Sequence, residues 1–326
     1  MMTTFAKLTA TASYVPGRIV TNDELAAVMP TTDDWIVSHT GIHTRHYAFD
    51  DENTSDLATK VGIKLLKKAA LTADEIDLII VTTITPDALT PATASVVQGK
   101  LNAKNAVAFD VSAACAGFVF GLSIADKMMR SGQFRHALVI SAEVNSKMMD
   151  FTDRTSAVFF GDGAGGALLS QTQVENEEFL IAEKLQTDGT RAQTIHSGRI
   201  VPLTEVASTN YPTTDAFFQD GRAVFEFATT TVPEQIKQLL ADAKYAPAEL
   251  QMVVCHQANL RIIETICTKL GMPFDKFAHT VERFGNMSSA GIPVTLDQET
   301  PITGGQPILL SGFGAGLNYG SMLIRM

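Results

Sequence analysis

Short apolar, β-branched runs alternate with helical patterns along this chain, and that alternation restricts it to a layered α/β fold. It argues against an all-helical or an all-β protein. Strands are predicted at Leu78–Thr82, Ala106–Asp110, His136–Ser141, Met252–Cys255 and Pro307–Ser311. Helices are predicted at Thr54–Ala70, Pro91–Leu101, Cys115–Arg130, Val232–Ala243 and Ala258–Leu270.

The order of these segments indicates an internal duplication. Strands near residues 79 and 139 lie 60 positions apart in the first half, and strands near 253 and 309 lie 56 apart in the second. Each half also ends in a glycine-rich turn that leads into an apolar strand, at 160–169 and 311–320. We predict two related halves, residues 1–175 and 176–326. Coincidence in an α/β chain is the alternative, because the spacings are loose.

Composition argues against several classes of function. With 326 residues, 45% of them hydrophobic, the chain can bury a large core. A net charge of -10 disfavours a general nucleic-acid surface, and no apolar run is long enough to cross a bilayer. The three cysteines have neither metal-like nor disulfide-like spacing. We therefore expect no metal, nucleic acid or membrane as a partner and, without a secretion signal at the N-terminus, a cytoplasmic location.

Cys115 is a candidate nucleophile because of where it lies between a strand and a helix. The strand-like stretch that ends at Val111 gives way to a helical pattern at this cysteine. Unpaired N–H groups and the dipole at a helix N-terminus stabilise a thiolate, and Ser112 is a candidate N-cap. The alternative is a buried structural cysteine, which is the commoner role of this residue type.

A histidine and an asparagine in the second half are candidate partners of Cys115. His256 follows directly on the predicted strand Met252–Cys255, at the edge where α/β layers tend to bind ligands. Asn286 lies after Gly285 in a predicted turn, which leaves its amide free to face a cleft. Taken alone, each residue is more often structural: a hydrogen-bonded histidine or an ordinary turn asparagine.

In combination these motifs resemble β-ketoacyl-(acyl-carrier-protein) synthase III of bacterial fatty-acid synthesis. The motifs are WIVSHTGI at 35–42, DVSAACAGF at 110–118, FGDGAG at 160–165, HQANLR at 256–261 and GN at 285–286. They occur in the family's order, and the resemblance runs nearly end to end. It implies the thiolase fold, with two duplicated halves in five-layered α/β/α/β/α packing, a homodimer, and no cofactor beyond the CoA thioester substrate.

The resemblance also implies a Claisen condensation in two stages. Cys115 takes an acyl group, expected to be acetyl, from acyl-CoA, and malonyl-acyl-carrier protein (malonyl-ACP) then loses CO2 and attacks the acyl-enzyme. His256 and Asn286 stabilise the enolate as neutral donors. The N–H groups of Cys115 and Ala315 form the oxyanion hole, although the family usually has glycine at the position of Ala315. Phe313 packs over the malonyl carboxylate.

Residues that bind the CoA substrate are implied in the same way. Trp35 and Arg154 match the pair that sandwiches the adenine. The full set of matching positions is Thr31, Trp35, Arg154, Gly221, Phe225, Ala258 and Asn259. His39 stands where the family commonly has arginine beside the CoA phosphates, so that contact is expected to be weaker or pH-dependent.

Carrier-protein docking and primer choice depend on further matched positions. The carrier protein is expected at Gln257, Ala258, Asn259, Leu260 and Arg261. Arg261 supplies the basic contact, and Glu226 replaces a lysine found in some relatives. Thr90 matches the residue that closes the acyl pocket across the dimer, often phenylalanine in acetyl-specific enzymes. Its smaller side chain predicts room for longer or branched primers, unless Phe118 or Leu203 fills the space.

Other functions remain open from the sequence. A condensing enzyme of specialised metabolism shares the same reacting residues and differs in its primer or acceptor. A cysteine hydrolase also uses Cys, His and Asn in this order, but its Asn orients the His. A non-catalytic CoA-binding protein is disfavoured by the intact trio. A thiolase is disfavoured because no second catalytic cysteine follows Cys267.

Overall fold

Two β-sheets lie at the centre of the computed structural model, which describes residues 4–199, 214–299 and 305–326. The strands of the first half are β1 Phe5–Tyr14, β2 Arg18–Thr21, β3 Thr44–Tyr47, β4 Leu78–Thr82, β5 Val107–Val111, β6 His136–Glu143 and β7 Gly163–Thr172. Those of the second half are β8 Leu180–Thr187, β9 Ile195–His196, β10 Phe218–Gln219, β11 Met252–Cys255, β12 Ile308–Gly314 and β13 Asn318–Ile324. The helices are α1 Asn22–Ala26, α2 Asp33–Thr40, α3 Thr54–Ala69, α4 Thr93–Leu101, α5 Gly117–Met129, α6 Gly221–Ala243, α7 Leu260–Leu270, α8 Val281–Phe284 and α9 Gly291–Glu299.

The two main sheets repeat one strand order, which confirms the duplication. The first runs β1-β7-β6-β4-β5 and the second β8-β13-β12-β11. A parallel bridge from Val253 to Phe277 occupies the place of a fifth strand beside β11. In the first sheet β6, β4 and β5 pair in parallel, and β7 pairs antiparallel with both β1 and β6. In the second, β12 and β11 pair in parallel, and β13 pairs antiparallel with both β8 and β12. The chain passes between sheets after Thr172 and before Leu180; the division at 175/176 stays a prediction.

Helices separate and cover the sheets in five layers. Helices α3 and α4 pack outside the first sheet, α6 and α7 outside the second, and α5 and α9 contact both sheets from between them. Helix α5 is buried along most of its length. At Gly121 a Cβ would lie 2.8 Å from Thr82 Cγ2, so the absence of a side chain lets this helix approach β4. The central helices thereby bring their N-termini to the ends of the strands.

Several predicted boundaries were wrong. Helix α5 begins at Gly117 rather than Cys115, because a 3₁₀ turn at Ala114–Ala116 precedes it. Ser112 is therefore not the N-cap; that position is Ala116, which makes no side-chain cap hydrogen bond.

Helix α6 starts at Gly221 and continues through Pro233, well before the predicted Val232, because Asp220 caps it by accepting the Ala223 N–H. No helix of the described ranges is long and apolar enough to cross a membrane.

Candidate active site

Two matching turns lead into the central helices. The 3₁₀ turn Ala114–Ala116 carries Cys115 into α5, and the 3₁₀ turn Ser288–Ala290 leads into α9. The first residue of each turn has a left-handed backbone, with φ of 49° at Ala114 and 51° at Ser288. The duplication therefore extends to the backbone of the site.

Cys115 lies against both the second turn and the end of β12. Its Sγ is 3.4 Å from Ser288 Oγ. A Cβ on Gly314 would lie 2.7 Å from the Cys115 N and 3.2 Å from its Sγ, so only glycine fits there. Burial raises the pKa of the thiol to about 12, and the Ser288 contact acts in the opposite direction. The stabilisation of a thiolate expected from the helix N-terminus is thus opposed by desolvation.

Asn286 is linked to Cys115 through Ser288. Its backbone N–H donates to the Phe159 carbonyl at 2.7 Å, and its Oδ1 accepts the Ser288 N–H at 2.8 Å. The side chain is buried, with 6% of its surface exposed. Because Oδ1 is occupied, the Nδ2 group is the part of the amide that remains to donate to a ligand.

His256 follows β11, and its backbone N–H donates to the Ser311 carbonyl at 2.7 Å. The ring meets Phe313 edge to face, with centroids 5.0 Å apart. Burial lowers the pKa of the imidazole to about 3, so the ring is neutral at physiological pH. Its Nδ1 is buried without a hydrogen-bond partner in the described parts of the chain. A neutral imidazole with one N–H is suited to hydrogen bonding rather than to carrying a charge.

Ala315 lies in the turn that follows β12. The left-handed residue of this turn is Gly316, with φ of 123°. Ala315 is not among the residues with positive φ, so its methyl group causes no left-handed strain. Its carbonyl accepts a hydrogen bond from Asn318 Nδ2 at 2.9 Å. Alanine is thus compatible with the backbone at the position where the family usually has glycine.

The residues predicted to hold adenine are in contact with one another. The Arg154 guanidinium lies 5.0 Å from the Trp35 ring, and its Nη1 donates to the Pro30 carbonyl, beside Thr31, at 2.9 Å. His39 stacks on Trp35 with centroids 4.4 Å apart. A base between two stacked planes needs roughly 7 Å, twice the 3.4 Å spacing of stacked bases. The 5.0 Å separation of Arg154 and the Trp35 ring is shorter than this, so the pair encloses no base as it stands.

The start of α7 separates exposed from buried members of the predicted docking set. Arg261 is exposed and pairs with Glu264 at 3.0 Å. Asn259 caps α7 by accepting the Ile262 N–H. Gln257 corrects the prediction: it is wholly buried, and its amide bonds the Cys255 carbonyl and the Thr280 N–H. A buried and occupied amide offers no surface to a carrier protein.

The remaining predicted positions differ in exposure. Gly221 is the first residue of α6, Phe225 on the same helix is 42% exposed, and Ala258 is buried. Leu260 begins α7, partly buried against Gly41. The described residues contain no group of three or more His, Cys, Asp or Glu side chains that could hold a metal ion.

A cavity of about 870 Å³ is lined by Ala114, the residue before Cys115, and by Ala315. Leu89, Met149 and Phe217 are among its apolar walls. Thr90 is exposed next to Leu89 and is not part of the lining.

Of the two residues predicted to compensate for a small side chain at position 90, Phe118 does not line this cavity. Phe118 packs in the core between the sheets, and Leu203 lies outside the described residues. Phe217 packs edge to face on Phe160 with centroids 4.7 Å apart. Sequence reasoning did not single out Phe217, because nothing in its local pattern relates it to Cys115.

Sequence reasoning also missed Glu143 and Ser288. Glu143 is fully buried at the end of β6, where its carboxylate accepts the hydroxyls of Thr83, Thr85 and Ser289. The sequence feature that could have indicated Glu143 is a carboxylate at the end of the apolar run HALVISAE. A charge in a buried strand needs several donors, and such groups concentrate at functional sites.

Comparison with known proteins identifies the family. The profile of 3-oxoacyl-(acyl-carrier-protein (ACP)) synthase III matches residues 109–189, and its C-terminal profile matches 240–326. The chain is 63% identical to β-ketoacyl-(acyl-carrier-protein) synthase III 1 of Lactiplantibacillus plantarum, over 99% of this chain and 100% of the relative. It is 44% identical to the synthase III of Streptococcus mutans, over 99% and 100%.

Solved structures agree. The chain superposes on 3-oxoacyl-(acyl-carrier-protein) synthase III from Aquifex aeolicus with a TM-score of 0.88 at 34% identity, covering 98% of this chain and 100% of that one. The Thermus thermophilus synthase III gives 0.90 at 34% identity, covering 98% and 99%. The priming β-ketosynthase of the R1128 polyketide pathway gives 0.89 at 34% identity, covering 99% and 96%.

The duplicated sheets, with a cysteine in the turn that leads into a central helix, are those of a condensing enzyme of the thiolase fold, an acyltransferase. The chain belongs to the β-ketoacyl-(acyl-carrier-protein) synthase III family. Its reaction is the condensation that initiates fatty-acid synthesis.

Proposed function

We propose that Cys115, His256 and Asn286 perform this condensation with acyl-CoA as primer, acetyl-CoA first among them, and malonyl-ACP as extender. The observation that carries the assignment is the link from Cys115 through Ser288 to Asn286. Cys115 Sγ lies 3.4 Å from Ser288 Oγ, and the Ser288 N–H donates to Asn286 Oδ1 at 2.8 Å. It couples the nucleophile of the first half to the amide of the second.

The first stage transfers the acyl group to sulfur. The Cys115 thiolate attacks the thioester carbonyl, and the tetrahedral oxyanion accepts hydrogen bonds from the N–H groups of Cys115 and Ala315. CoA then leaves as the thiol. The near approach of Gly314 to Cys115 supports this assignment, because it brings the turn that carries Ala315 to the sulfur. Both donors are backbone groups, so a side chain at position 315 does not remove either.

The second stage generates and uses a carbanion. Loss of CO2 from malonyl-ACP places negative charge on its thioester oxygen, which accepts hydrogen bonds from His256 and from Asn286 Nδ2. The low pKa of His256 supports a neutral donor, and the occupied Oδ1 of Asn286 supports donation by its nitrogen. Phe313, packed on His256, contributes an apolar wall beside the carboxylate that is lost. The carbanion then attacks the acyl-enzyme and frees Cys115.

Substrate delivery follows the matched positions. CoA binds along Thr31, Trp35, Arg154, Gly221, Phe225, Ala258 and Asn259, with Arg154 swinging away from Trp35 to admit the base. The exposed Arg261 receives the acidic carrier protein, although Glu264 already shares its charge. The large cavity beside Ala114 and the small Thr90 support primers longer or more branched than acetyl. No step draws on a cofactor, and we expect a cytoplasmic homodimer.

Two alternatives make different predictions. A cysteine hydrolase needs the asparagine oxygen on the histidine, yet Asn286 Oδ1 bonds the Ser288 N–H and His256 Nδ1 is unpartnered in the described structure. A condensing enzyme of specialised metabolism is the second candidate, favoured by the close superposition on the R1128 priming β-ketosynthase. It differs in primer or acceptor rather than in the reacting residues.

Intact-mass measurement after incubation with acetyl-, isobutyryl- or octanoyl-CoA tests the proposal, with Cys115→Ala as the control. We expect an acyl adduct that the variant lacks and that only malonyl-ACP discharges, giving the β-ketoacyl product. Discharge by water alone would contradict condensation and indicate a hydrolase. Strict preference for acetyl-CoA would contradict the wide pocket, and a product that forms only with another acceptor would favour the specialised enzyme.

A further inference from the structure

Ser288 is a buried hydroxyl beside Cys115 to which the reaction above assigns no chemical part. Its Oγ lies 3.4 Å from the cysteine sulfur, and no other side chain within residues 4–199, 214–299 and 305–326 hydrogen-bonds that atom. In the resting protein the thiol donates and Ser288 accepts. A hydroxyl can reverse that direction, because it carries one donor and two acceptor lone pairs.

We propose that Ser288 is a further catalytic residue, whose hydroxyl donates a hydrogen bond to the Cys115 thiolate and holds it for attack on the acyl-CoA thioester. The inference rests on the proposed role of Cys115 as the nucleophile. In this step the bond from the Cys115 sulfur to the acyl carbon forms and the bond from that carbon to the CoA sulfur breaks. The proton that Cys115 loses ends on CoA, and Ser288 keeps its own proton throughout.

The surroundings of the sulfur make such a donor necessary. Glu143 on β6 is the charged group that acts on the Cys115 thiol, and it is a carboxyl group; His256 after β11 is a neutral ring. Those on the central helices lie towards the other ends of α5 and α9, at Asp126, Lys127, Asp297 and Glu299. β4, β12 and the turn Ser288–Ala290 carry none. Because no cation acts on the sulfur within the described parts of the chain, hydrogen bonds must stabilise the thiolate.

The turn that carries Ser288 is held on both sides. The Ser288 N–H donates to Asn286 Oδ1 at 2.8 Å, and the hydroxyl of the next residue, Ser289, donates to Glu143 Oε1 at 2.8 Å. The same Ser289 hydroxyl lies 3.2 Å from the Thr82 carbonyl. These contacts fix a left-handed residue, which is uncommon for serine, with its hydroxyl towards Cys115.

The duplication supplies a clean substitution. Ala114 occupies the position in the first turn that Ser288 occupies in the second, and its φ of 49° matches the 51° of Ser288. Ser288→Ala therefore keeps a backbone that alanine already adopts in this protein, and it keeps the N–H bond to Asn286. Ser288→Gly removes the same hydroxyl and is free to adopt positive φ. Together the two variants distinguish the effect of losing the hydroxyl from any effect of a change in backbone conformation.

The test measures the rate at which iodoacetamide alkylates Cys115 across a range of pH. Mass spectrometry of the peptide that contains Cys115 is the readout. A hydrogen bond to a charged group is worth about one or two pKa units, and a thiolate of higher pKa is partly compensated by greater nucleophilicity. We expect both Ser288 variants to react about three- to tenfold more slowly at each pH. Acyl-enzyme formation falls similarly, while malonyl decarboxylation is retained because Asn286 keeps its partner.

Ser321→Ala is the matched control, because Ser321 is a fully buried hydroxyl on β13 that bonds Gln235 and Ser311 and does not touch Cys115. Unchanged alkylation in both Ser288 variants would overturn the proposal, and so would an equal loss in Ser321→Ala. A protein whose Cys115 is alkylated in this serine-dependent way but is never acylated by CoA thioesters would refute the proposed function and leave the thiolate contact established.

Discussion

Gly314 shows how closely the nucleophile is enclosed at the scale of single residues. A Cβ at this position would meet the Cys115 N at 2.7 Å and its Cβ at 3.0 Å. Gly314→Ala must therefore displace either Cys115 or the turn that carries Ala315. We expect acyl-enzyme formation to fall about a hundredfold or more, because a displacement of about 1 Å at a reacting centre has that effect.

The measurement is intact mass after reaction with acyl-CoA, at equal folded content judged by circular dichroism. Ala315→Gly is the control, since it changes the adjacent residue to the family's usual glycine and introduces no contact; we expect it to react at the parent rate. A Gly314→Ala protein that acylates normally would show that the approach of β12 to Cys115 is not needed for the first stage.

His256 makes a prediction about pH. Burial lowers its pKa from 6.5 to about 3, so the ring stays neutral throughout the neutral range. Malonyl decarboxylation in the Cys115→Ala variant should therefore show no inflection between about pH 5 and pH 8, where an ordinary histidine titrates. His256→Ala should lower the rate about a hundredfold or more at every pH in that range. An inflection near pH 6.5 that disappears in His256→Ala would contradict a buried neutral donor.

The residues proposed to react were singled out from the sequence, and the contacts that support them were not. Cys115, His256 and Asn286 each stand in a local pattern, at a strand end or beside a glycine turn, and a match to known motifs singled them out together. Ser288 and Glu143 have no such pattern, because their positions depend on contacts between residues far apart in the chain. Gln257 was wrong for the related reason that a motif does not tell which of its side chains point inward.

At the scale of elements, Glu143 joins β6, the segment after β4 and the turn before α9. Its carboxylate accepts the hydroxyls of Thr83, Thr85 and Ser289 and the N–H of Ile84, with no cation among them. Burial is the largest influence on the carboxyl group and raises its pKa. The folded state therefore binds this proton more tightly than the unfolded state does.

The raised pKa of Glu143 makes its contribution to folding stability decrease as pH rises. With the folded pKa raised above the usual 4.5, the stability contributed by protonated Glu143 is complete below the unfolded pKa and is lost as pH rises through the folded pKa. Glu143→Gln does not titrate, so its melting temperature should improve relative to the parent as pH increases from about 5 to about 8. Thermal unfolding at both pH values measures the difference, with Glu183→Gln on β8 as the control. A constant difference would show that Glu143 does not change protonation there.

Element boundaries depended on contacts that local patterns do not report. Strands β4 and β11, which are largely buried, were predicted to the residue, because each is a short, continuous apolar run. The start of α5 was missed because the 3₁₀ turn around Cys115 has a helical pattern without α-helical hydrogen bonds. The helix predicted at Val232 missed the first half of α6, whose N-cap Asp220 lies twelve residues upstream of that position.

At the scale of the whole molecule, strand β5 leaves the first sheet open. It pairs with β4 on one side and is the last strand in the sheet order. Val107 on this strand is 51% exposed, and Leu89, which lines the cavity together with Asp110, is 80% exposed. An unprotected edge with apolar side chains favours pairing with another chain. A second copy is the occupant that would also bring a Thr90 segment to the acyl cavity, as the proposed homodimer requires.

We therefore expect the protein to sediment at twice the 35.0 kDa of one chain, and the double variant Leu89→Glu, Val107→Lys to sediment as a monomer. Charges on the edge oppose pairing because they must be desolvated in an interface. The control is Ile63→Lys, since Ile63, at 55%, is about as exposed as Val107 but lies on the outer helix α3 away from that edge. Analytical ultracentrifugation gives the mass, and acylation by octanoyl-CoA reports the pocket. If the double variant stays dimeric, the interface lies elsewhere; if it becomes monomeric with unchanged primer preference, the pocket is closed within one chain and Thr90 does not act across the dimer.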